Sequence, residues 1–403
     1  MKALFSGVCL CLILFQASIS VTNAQELSPD PQSAIRRLVK GGTVVLASES
    51  GQSIFAINGA EQFVPASIVK LLTSLIALKE LGPDYHFSTE IYQKNKTEFW
   101  VKGYGDPFLV SEEIIAIAQS LKKKGVTQIT RLGLDASAFE KGLKVPGILG
   151  SSNPYDALNG ALVVNFNSLN VKKDRQGRVT SGEKLTPLTP LALKKAKKLK
   201  RGFADRVNLA KSPEESLQYV GELFLAIFEK EGIKTTGAKI IYGKVKADEL
   251  FYTHKNSKDL NEVLHGLLKY SNNFIANQIH LSLGMRAFGE PATLQKSHKI
   301  YQASMMEILG PRAKNIIVEE ASGISRNNLM SGNEMLLILE AFRPHWKLLS
   351  HKVGVPLKSG TLTGVYNYAG YIETPKGIRP FVVMLNQKRN KRDSVVRLLK
   401  QIP

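Results

Sequence analysis

The chain is 403 residues long, with 43% hydrophobic and 22% charged side chains, enough for two domains with large buried cores. That composition excludes a disordered chain, a collagen-like fibre and a disulfide-stapled mini-protein. Lys and Arg total 54 against 34 Asp and Glu, a formal net charge of +20, and the two cysteines are Cys9 and Cys11.

The N-terminus reads as a secretory signal. Lys2 precedes an apolar run over residues 3–15, and smaller and polar residues follow up to Thr22-Asn23-Ala24. A basic start, a short apolar stretch and a small residue before the cut have that form. The run falls short of the roughly 20 residues a membrane-spanning helix needs. Cleavage after Ala24 is expected to remove both cysteines, leaving no disulfide, thiol nucleophile or cysteine metal ligand. It leaves the basic charge almost intact, because Lys2 is the only charged residue lost. An exported protein of this charge, periplasmic or secreted, is expected to work beside an anionic cell wall or membrane surface, not nucleic acid. The seven histidines form no His-Glu-x-x-His pair and no Walker-type loop occurs. No local motif supports a metal site, and no cofactor is expected.

In chain order, residues 43–47 and 53–57 read as strands around a Glu-Ser-Gly-Gln turn. Residues 67–81 read as a helix apolar nearly all round, which belongs at a domain centre; Gly82-Pro83 stops it. Residues 90–93 and 97–102 read as short strands, and 112–123 and 214–231 as amphipathic helices. Between those helices, residues 184–211 hold nine Lys or Arg and one acid, Asp205. This stretch is either a solvated basic helix face or a docking surface for an anionic polymer. Helices are expected again over 260–270 and 273–283, strands over 355–360, 366–373 and 379–386, and a last amphipathic helix over 392–401. Strands at both ends around a helical centre imply one sheet built from both termini, with a segment inserted between.

Three short motifs carry chemistry. Ser67-Ile68-Val69-Lys70 opens the apolar helix, and a serine and lysine three apart share a face. The serine oxygen there sits at the positive end of the helix dipole. A lysine in apolar surroundings loses its proton more easily and can accept the one leaving the serine. The same spacing at Ser120-Lys123 falls late in a surface helix, and at Ser181-Lys184 in a loop. The bland alternative for Ser67 is a helix N-cap. Ser271-Asn272-Asn273 lies at a helix junction, where capping is again the bland alternative. Lys358-Ser359-Gly360-Thr361 ends an apolar strand; its lysine and hydroxyl can hold a carboxylate, and its glycine admits a close backbone approach.

As an ordered set, Ser-x-x-Lys, Ser-x-Asn and Lys-Ser-Gly resemble the penicillin-recognising serine enzymes, the β-lactamases and D,D-peptidases. Gly103-Tyr104-Gly105-Asp106-Pro107-Phe108-Leu109, Ala161-Leu162-Val163-Val164-Asn165-Phe166-Asn167 and Ser322-Gly323-Ile324-Ser325-Arg326-Asn327-Asn328 are similar to segments of the low-molecular-mass class C penicillin-binding proteins, D-alanyl-D-alanine carboxypeptidases and endopeptidases of bacterial cell walls. Four positions depart from that pattern. Glu320-Ala321 replaces the usual Asp-Gly, which reads as a loop variation. Asn277 stands where a carboxylate commonly follows Ser-x-Asn, and Ser359 replaces the commoner threonine.

The resemblance implies a transpeptidase/β-lactamase-like α/β (α+β) domain, an antiparallel sheet flanked by helices, formed by residues 25–88 and 250–403. Residues 89–249 form the inserted domain, with a second insertion absent or reduced. It implies an acyl-enzyme on Ser67, with Lys70 as base, Ser271 and Asn273 relaying the proton and positioning substrate, and Lys358 and Ser359 holding the terminal carboxylate. The backbone N–H groups of Ser67 and Thr361 make the oxyanion hole, with Gly360 and Thr361 along the substrate edge. Asp156 and Arg326 match positions that recognise the side-chain end of diaminopimelate. The implied partners are peptidoglycan peptide stems, with β-lactams as inhibitors. The rival readings are a β-lactamase and a non-catalytic wall-binding module on the same scaffold.

Overall fold

The computed structural model describes residues 30–245 and 250–403; the expected signal segment lies outside them. A six-stranded antiparallel sheet is built from both ends of the chain. Its order is His351–Lys352, Val355–Leu362, Val365–Thr374, Gly377–Asn386, Gly42–Ala47 and Ser53–Ile57. Every residue of Gly42–Ala47 is buried, because the sheet is covered on both faces. Period-two alternation sends Val44 and Leu46 to one side and Val45 and Ala47 to the other. The first side packs with Ile35, Val395, Val396 and Leu399 of the helices Pro31–Leu38 and Arg392–Leu399. The second meets a helical layer: Lys70–Leu81, Leu260–Tyr270, Asn273–Phe288, Leu294–Leu309 and Gly332–Phe342.

Lys70–Leu81 lies at the middle of that layer, with Leu71, Leu72, Ile76 and Ala77 wholly excluded from solvent. The three larger side chains, Leu71, Leu72 and Ile76, each contribute about 1.5–3 kcal/mol when fully buried, so the segment is anchored on all sides. The α-helix does not begin at Ser67. Ala66–Val69 forms a 3₁₀ turn that runs into it at Lys70.

A second core belongs to the inserted part. Its five-stranded sheet has the order Lys239–Tyr242, Arg131–Asp135, Glu98–Gly103, His86–Asn95 and Leu250–Asp259. The helices Ser111–Lys123 and Pro213–Lys230 provide the crossovers that its two parallel pairings require. The chain enters and leaves through neighbours, since His86–Asn95 pairs antiparallel with Leu250–Asp259. This ladder runs past the expected limits at 88/89 and 249/250, so residues 86–88 and 250–259 belong to the inserted sheet by hydrogen bonding. Asp106 pins the seam: its carboxylate accepts from Asn256 Nδ2 and from the Phe108 amide, both at 2.8 Å. Burial pushes that carboxyl up to about 6.

The basic stretch 184–211 is not one helix face. It comprises the helix Pro190–Lys197, a turn and the strand Ala204–Asn208, part of a three-stranded sheet with Ser168–Lys173 and Val179–Ser181. Ser181 therefore closes a strand instead of lying in a loop. Lys195 pairs with Glu215 at 2.6 Å and Arg206 with Glu183, whereas Lys194, Lys197, Lys198, Lys200 and Arg201 are exposed.

Candidate active site

Ser67 sits where the sheet and the helical layer meet. Asn367, on a central strand, donates its amide protons to the carbonyls of Val64 and Pro65 at 2.9 and 2.8 Å, and Asn386 Oδ1 accepts from the Val64 amide at 3.0 Å. These contacts clamp the chain just before the serine. Ala66 takes φ 48°, a left-handed conformation costly for a residue with a Cβ. No side chain caps either the 3₁₀ turn or the helix after it, so Ser67 does not act as an N-cap. Its Oγ instead lies 3.0 Å from Lys70 Nζ, which donates to it.

Lys70 is wholly buried. Its ammonium also donates to Asn273 Oδ1 at 2.8 Å and to the Ser322 carbonyl at 2.5 Å. Burial lowers its pKa to about 7, partly opposed by the negative charge of Glu320. A lysine so placed exchanges a proton near neutrality.

The Ser-x-Asn segment bridges two helices. Ser271 ends Leu260–Tyr270 in the left-handed region, φ 54°. Asn272 is the N-cap of Asn273–Phe288, accepting from the Ile275 amide at 3.1 Å. Capping thus falls to the middle residue, which frees Ser271 Oγ and Asn273 Oδ1 for the two lysines. Lys358 Nζ donates to Ser271 Oγ at 2.7 Å and to the Ser359 carbonyl at 2.8 Å. Lys358 is held well below the ordinary lysine range, first by burial and then by repulsion from Lys70 and Lys352.

Gly360 also has a role within the fold itself. A Cβ there would lie 2.8 Å from the Pro65 carbonyl oxygen and 2.9 Å from the Ser67 nitrogen. The glycine lets the strand pass the serine turn itself. Thr361 is exposed, and its Oγ1 accepts from Arg392 Nη1 at 2.7 Å. Ser67, Lys70, Ser271, Asn273, Lys358, Ser359 and Gly360 therefore gather at one place, with Thr361 at its rim. Arg326 is exposed and reaches across the next hairpin to the Thr363 carbonyl at 2.6 Å.

Asp156 departs from the expectation. It is 1% exposed, and its carboxylate accepts from the amides of Leu149 and Ser151 at 3.2 and 3.0 Å. In this arrangement it organises its own loop and offers no free carboxylate to a substrate.

Motif reading missed Asn367, Asn386, Glu320 and Arg392. Asn367 is buried inside an apolar strand and Asn386 ends one, a visible signal, since an amide among apolar neighbours needs partners. Arg392 reads in the sequence as part of a basic cluster, yet its guanidinium turns inward, donating to the Gly360 carbonyl at 3.2 Å as well as to Thr361.

Comparison with known proteins agrees with this geometry. The model of the D-Ala-D-Ala carboxypeptidase 3 (S13) family matches residues 31–199 and 202–351. A D-alanyl-D-alanine carboxypeptidase of Actinomadura sp. (strain R39) is 24% identical over 426 residues, covering 86% of this chain and 77% of that protein. The D-alanyl-D-alanine carboxypeptidase DacB of Haemophilus influenzae is 23% identical over 447 residues, covering 94% and 93%. The crystal structure of penicillin binding protein 4 (dacB) from Haemophilus influenzae superposes with a TM-score of 0.74 at 20% identity, over 92% of this chain and 98% of that one. With its motifs in these settings and the family model matched over most of its length, the chain belongs to the D-Ala-D-Ala carboxypeptidase 3 (S13) family, among the low-molecular-mass class C penicillin-binding proteins.

Proposed function

We propose that this penicillin-sensitive serine D,D-peptidase of peptidoglycan works through Ser67, with Lys70 as the general base. The observation that carries the assignment is the buried Lys70, its pKa about 7 and its Nζ 3.0 Å from Ser67 Oγ. As Oγ attacks the carbonyl of the penultimate D-alanine, its proton passes to Nζ, and the charge on the carbonyl oxygen is met by the N–H groups of Ser67 and Thr361. Removing one such preorganised donor costs roughly 3–4 kcal/mol of the barrier. Ser271, 2.7 Å from Lys358 Nζ, relays a proton to the departing amine. Lys358 and Ser359 hold the terminal carboxylate, and Asn273 orients both Lys70 and the substrate. Water then releases the acyl group from Ser67.

We further propose export to the periplasm or beyond, on the strength of the N-terminal signal pattern, and preference for stems of the diaminopimelate type. Arg326 carries the latter alone, for the buried Asp156 is committed to its loop.

The deciding experiment is labelling with a fluorescent penicillin. Ser67→Ala is expected to abolish labelling and peptidase activity and to keep the fold, since no cap hydrogen bond is lost. A mass shift on another serine of the wild-type chain overturns the assignment. Rapid turnover of benzylpenicillin in place of a lasting acyl-enzyme favours a β-lactamase.

A further inference from the structure

Glu320 stands at the position that the sequence marks only as a loop variation. It is fully buried, and six neutral donors hold its carboxylate. Oε2 accepts from Asn277 Nδ2 at 3.0 Å, the Ser322 amide at 2.8 Å and Ser322 Oγ at 2.6 Å. Oε1 accepts from the Gly323 amide at 2.6 Å, the Ser325 amide at 3.2 Å and Asn328 Nδ2 at 3.0 Å. The carboxylate is the acceptor in all six contacts, so both of its oxygens are tied to the loop. Asn277 is part of the same device: its Nδ2 donates to Glu320, and its Oδ1 accepts from the Ala321 amide at 2.9 Å.

The far side of this loop faces the helix that carries Lys70. With the amides of residues 321–323 drawn toward Glu320 and Asn277, the carbonyls of residues 321 and 322 point the other way. The Ala321 carbonyl accepts from Thr73 Oγ1 at 2.7 Å, and the Ser322 carbonyl accepts from Lys70 Nζ at 2.5 Å. Other titratable groups near the pair are Lys358 on the strand side, Tyr301 on the helix behind with His280 stacked on it, and Glu319 in the same loop with His298 against its carbonyl. Burial keeps Tyr301 and His280 uncharged near neutrality, while Lys358 and Lys70 oppose each other's charge.

We infer that Glu320 is a positioning residue for the proposed reaction: its buried charge is the counter-charge of Lys70, and its grip on the Ser322 and Gly323 amides aims the Ser322 carbonyl at the lysine. The inference rests on reading Lys70 as the base. During acylation the proton leaving Ser67 creates an ammonium at Lys70, in a place where burial alone disfavours it. A fixed negative charge and a directed carbonyl make that ammonium tolerable. Without the charge, Lys70 sheds its proton at lower pH and is a weaker base.

The test is the acylation rate with a fluorescent penicillin, measured from about pH 5 to 9. The wild type is expected to show an acid limb near the Lys70 pKa of about 7. Glu320→Gln is expected to move that limb by about one unit or more to lower pH, and to depress the plateau. Glu320→Asp keeps the charge and is expected to leave the limb in place. A Glu320→Gln chain slower by one factor at every pH, with the limb unmoved, overturns the inference and leaves Glu320 as a loop anchor. If Glu320→Gln does not fold, the wild type decides by NMR of carboxyl-labelled glutamate, the signal assigned by its loss in Glu320→Asp. Glu320 ionised at neutral pH supports the inference, and a protonated Glu320 there overturns it. Absence of any acid limb in the wild type is a different result, for it removes Lys70 as the base.

Discussion

Arg326 and Asp156 show how far a single residue can be read. The same segment matching selects both, yet only the arginine is exposed beside the site. A short carboxylate inside a turn-rich loop is readily taken by backbone amides, here those of Leu149 and Ser151, and no sequence pattern tells which way it turns. Arg326 spends one N–H on the Thr363 carbonyl and retains donors for a bidentate grip on a carboxylate. Diaminopimelate ends in such a group; lysine at the same place does not. Peptides with a free diaminopimelate end are therefore expected to be cleaved faster than lysine analogues, and Arg326→Ala to erase most of the difference. A charged hydrogen bond of about 1.5–3 kcal/mol corresponds to roughly 10- to 100-fold in kcat/KM. Acylation by simple penicillins is expected to persist. Equal cleavage of both peptides by the wild type removes this subsite.

At the scale of elements, the site is a meeting of a 3₁₀ turn, a helix junction, a strand and a loop. The three motif-bearing segments were legible because each stands at an element boundary: the start of an apolar helix, a junction between helices, the end of an apolar strand. Their mutual placement was not, because it depends on strand register and on side chains far away in sequence, such as the buried Asn367 and the half-buried Asn386. The 3₁₀ turn was also invisible, since the apolar pattern runs through Ile68 and Val69 without a break. The loop's contact with that turn makes a sharp prediction. Gly323 has φ +83°, and a Cβ there would stand 2.0 Å from the Ala66 carbonyl oxygen and 2.8 Å from the Ser67 nitrogen. Gly323→Ala must displace the serine turn or the loop. A shift near 1 Å at a reacting group costs on the order of 100-fold in rate, and the strain about 1–3 kcal/mol of stability. Penicillin acylation is expected to fall by about that factor in a chain that still melts cooperatively. Acylation at the wild-type rate would mean that the turn is not held by this contact.

Across the whole molecule, the strongly basic composition divides into groups with different fates. Lys70 and Lys358 are buried in the site. Arg392 is turned onto the Lys358 strand, with its guanidinium 4.4 Å from the Tyr368 ring centroid, and Lys195 and Arg206 are paired with acids. The sequence could count these cations but not sort them, since sorting needs to know which side chains find partners. Among the other cations, two groups stand together at the surface. One is Lys194, Lys197, Lys198, Lys200 and Arg201 on the inserted part. The other surrounds a cleft of 550 Å³ walled by Arg37, Lys40, Lys388, Arg389 and Lys391, with no acid in its lining. Gln387 ties that cleft together, accepting from the Lys40 amide at 2.8 Å and donating to the Leu38 and Arg389 carbonyls. The cleft follows directly from the strand that ends at Asn386, and Arg392 links it to Thr361. An anionic wall polymer lodged there would lie beside the rim of the site. Attraction between exposed charges is screened beyond about 10 Å at 0.1 M salt, so binding to purified sacculi is expected to weaken steeply as salt rises. Replacing Lys388, Arg389 and Lys391 with Gln is expected to reduce both sacculus binding and release of product from sacculi, while hydrolysis of a small soluble peptide continues. Replacing the inserted-part group with Gln is expected to reduce binding with a smaller effect on release, because those residues do not adjoin the site rim through Arg392. Sacculus binding that neither set of substitutions alters, or that salt leaves unchanged, would make both groups ordinary solvated surface and leave substrate capture to the active-site groove alone.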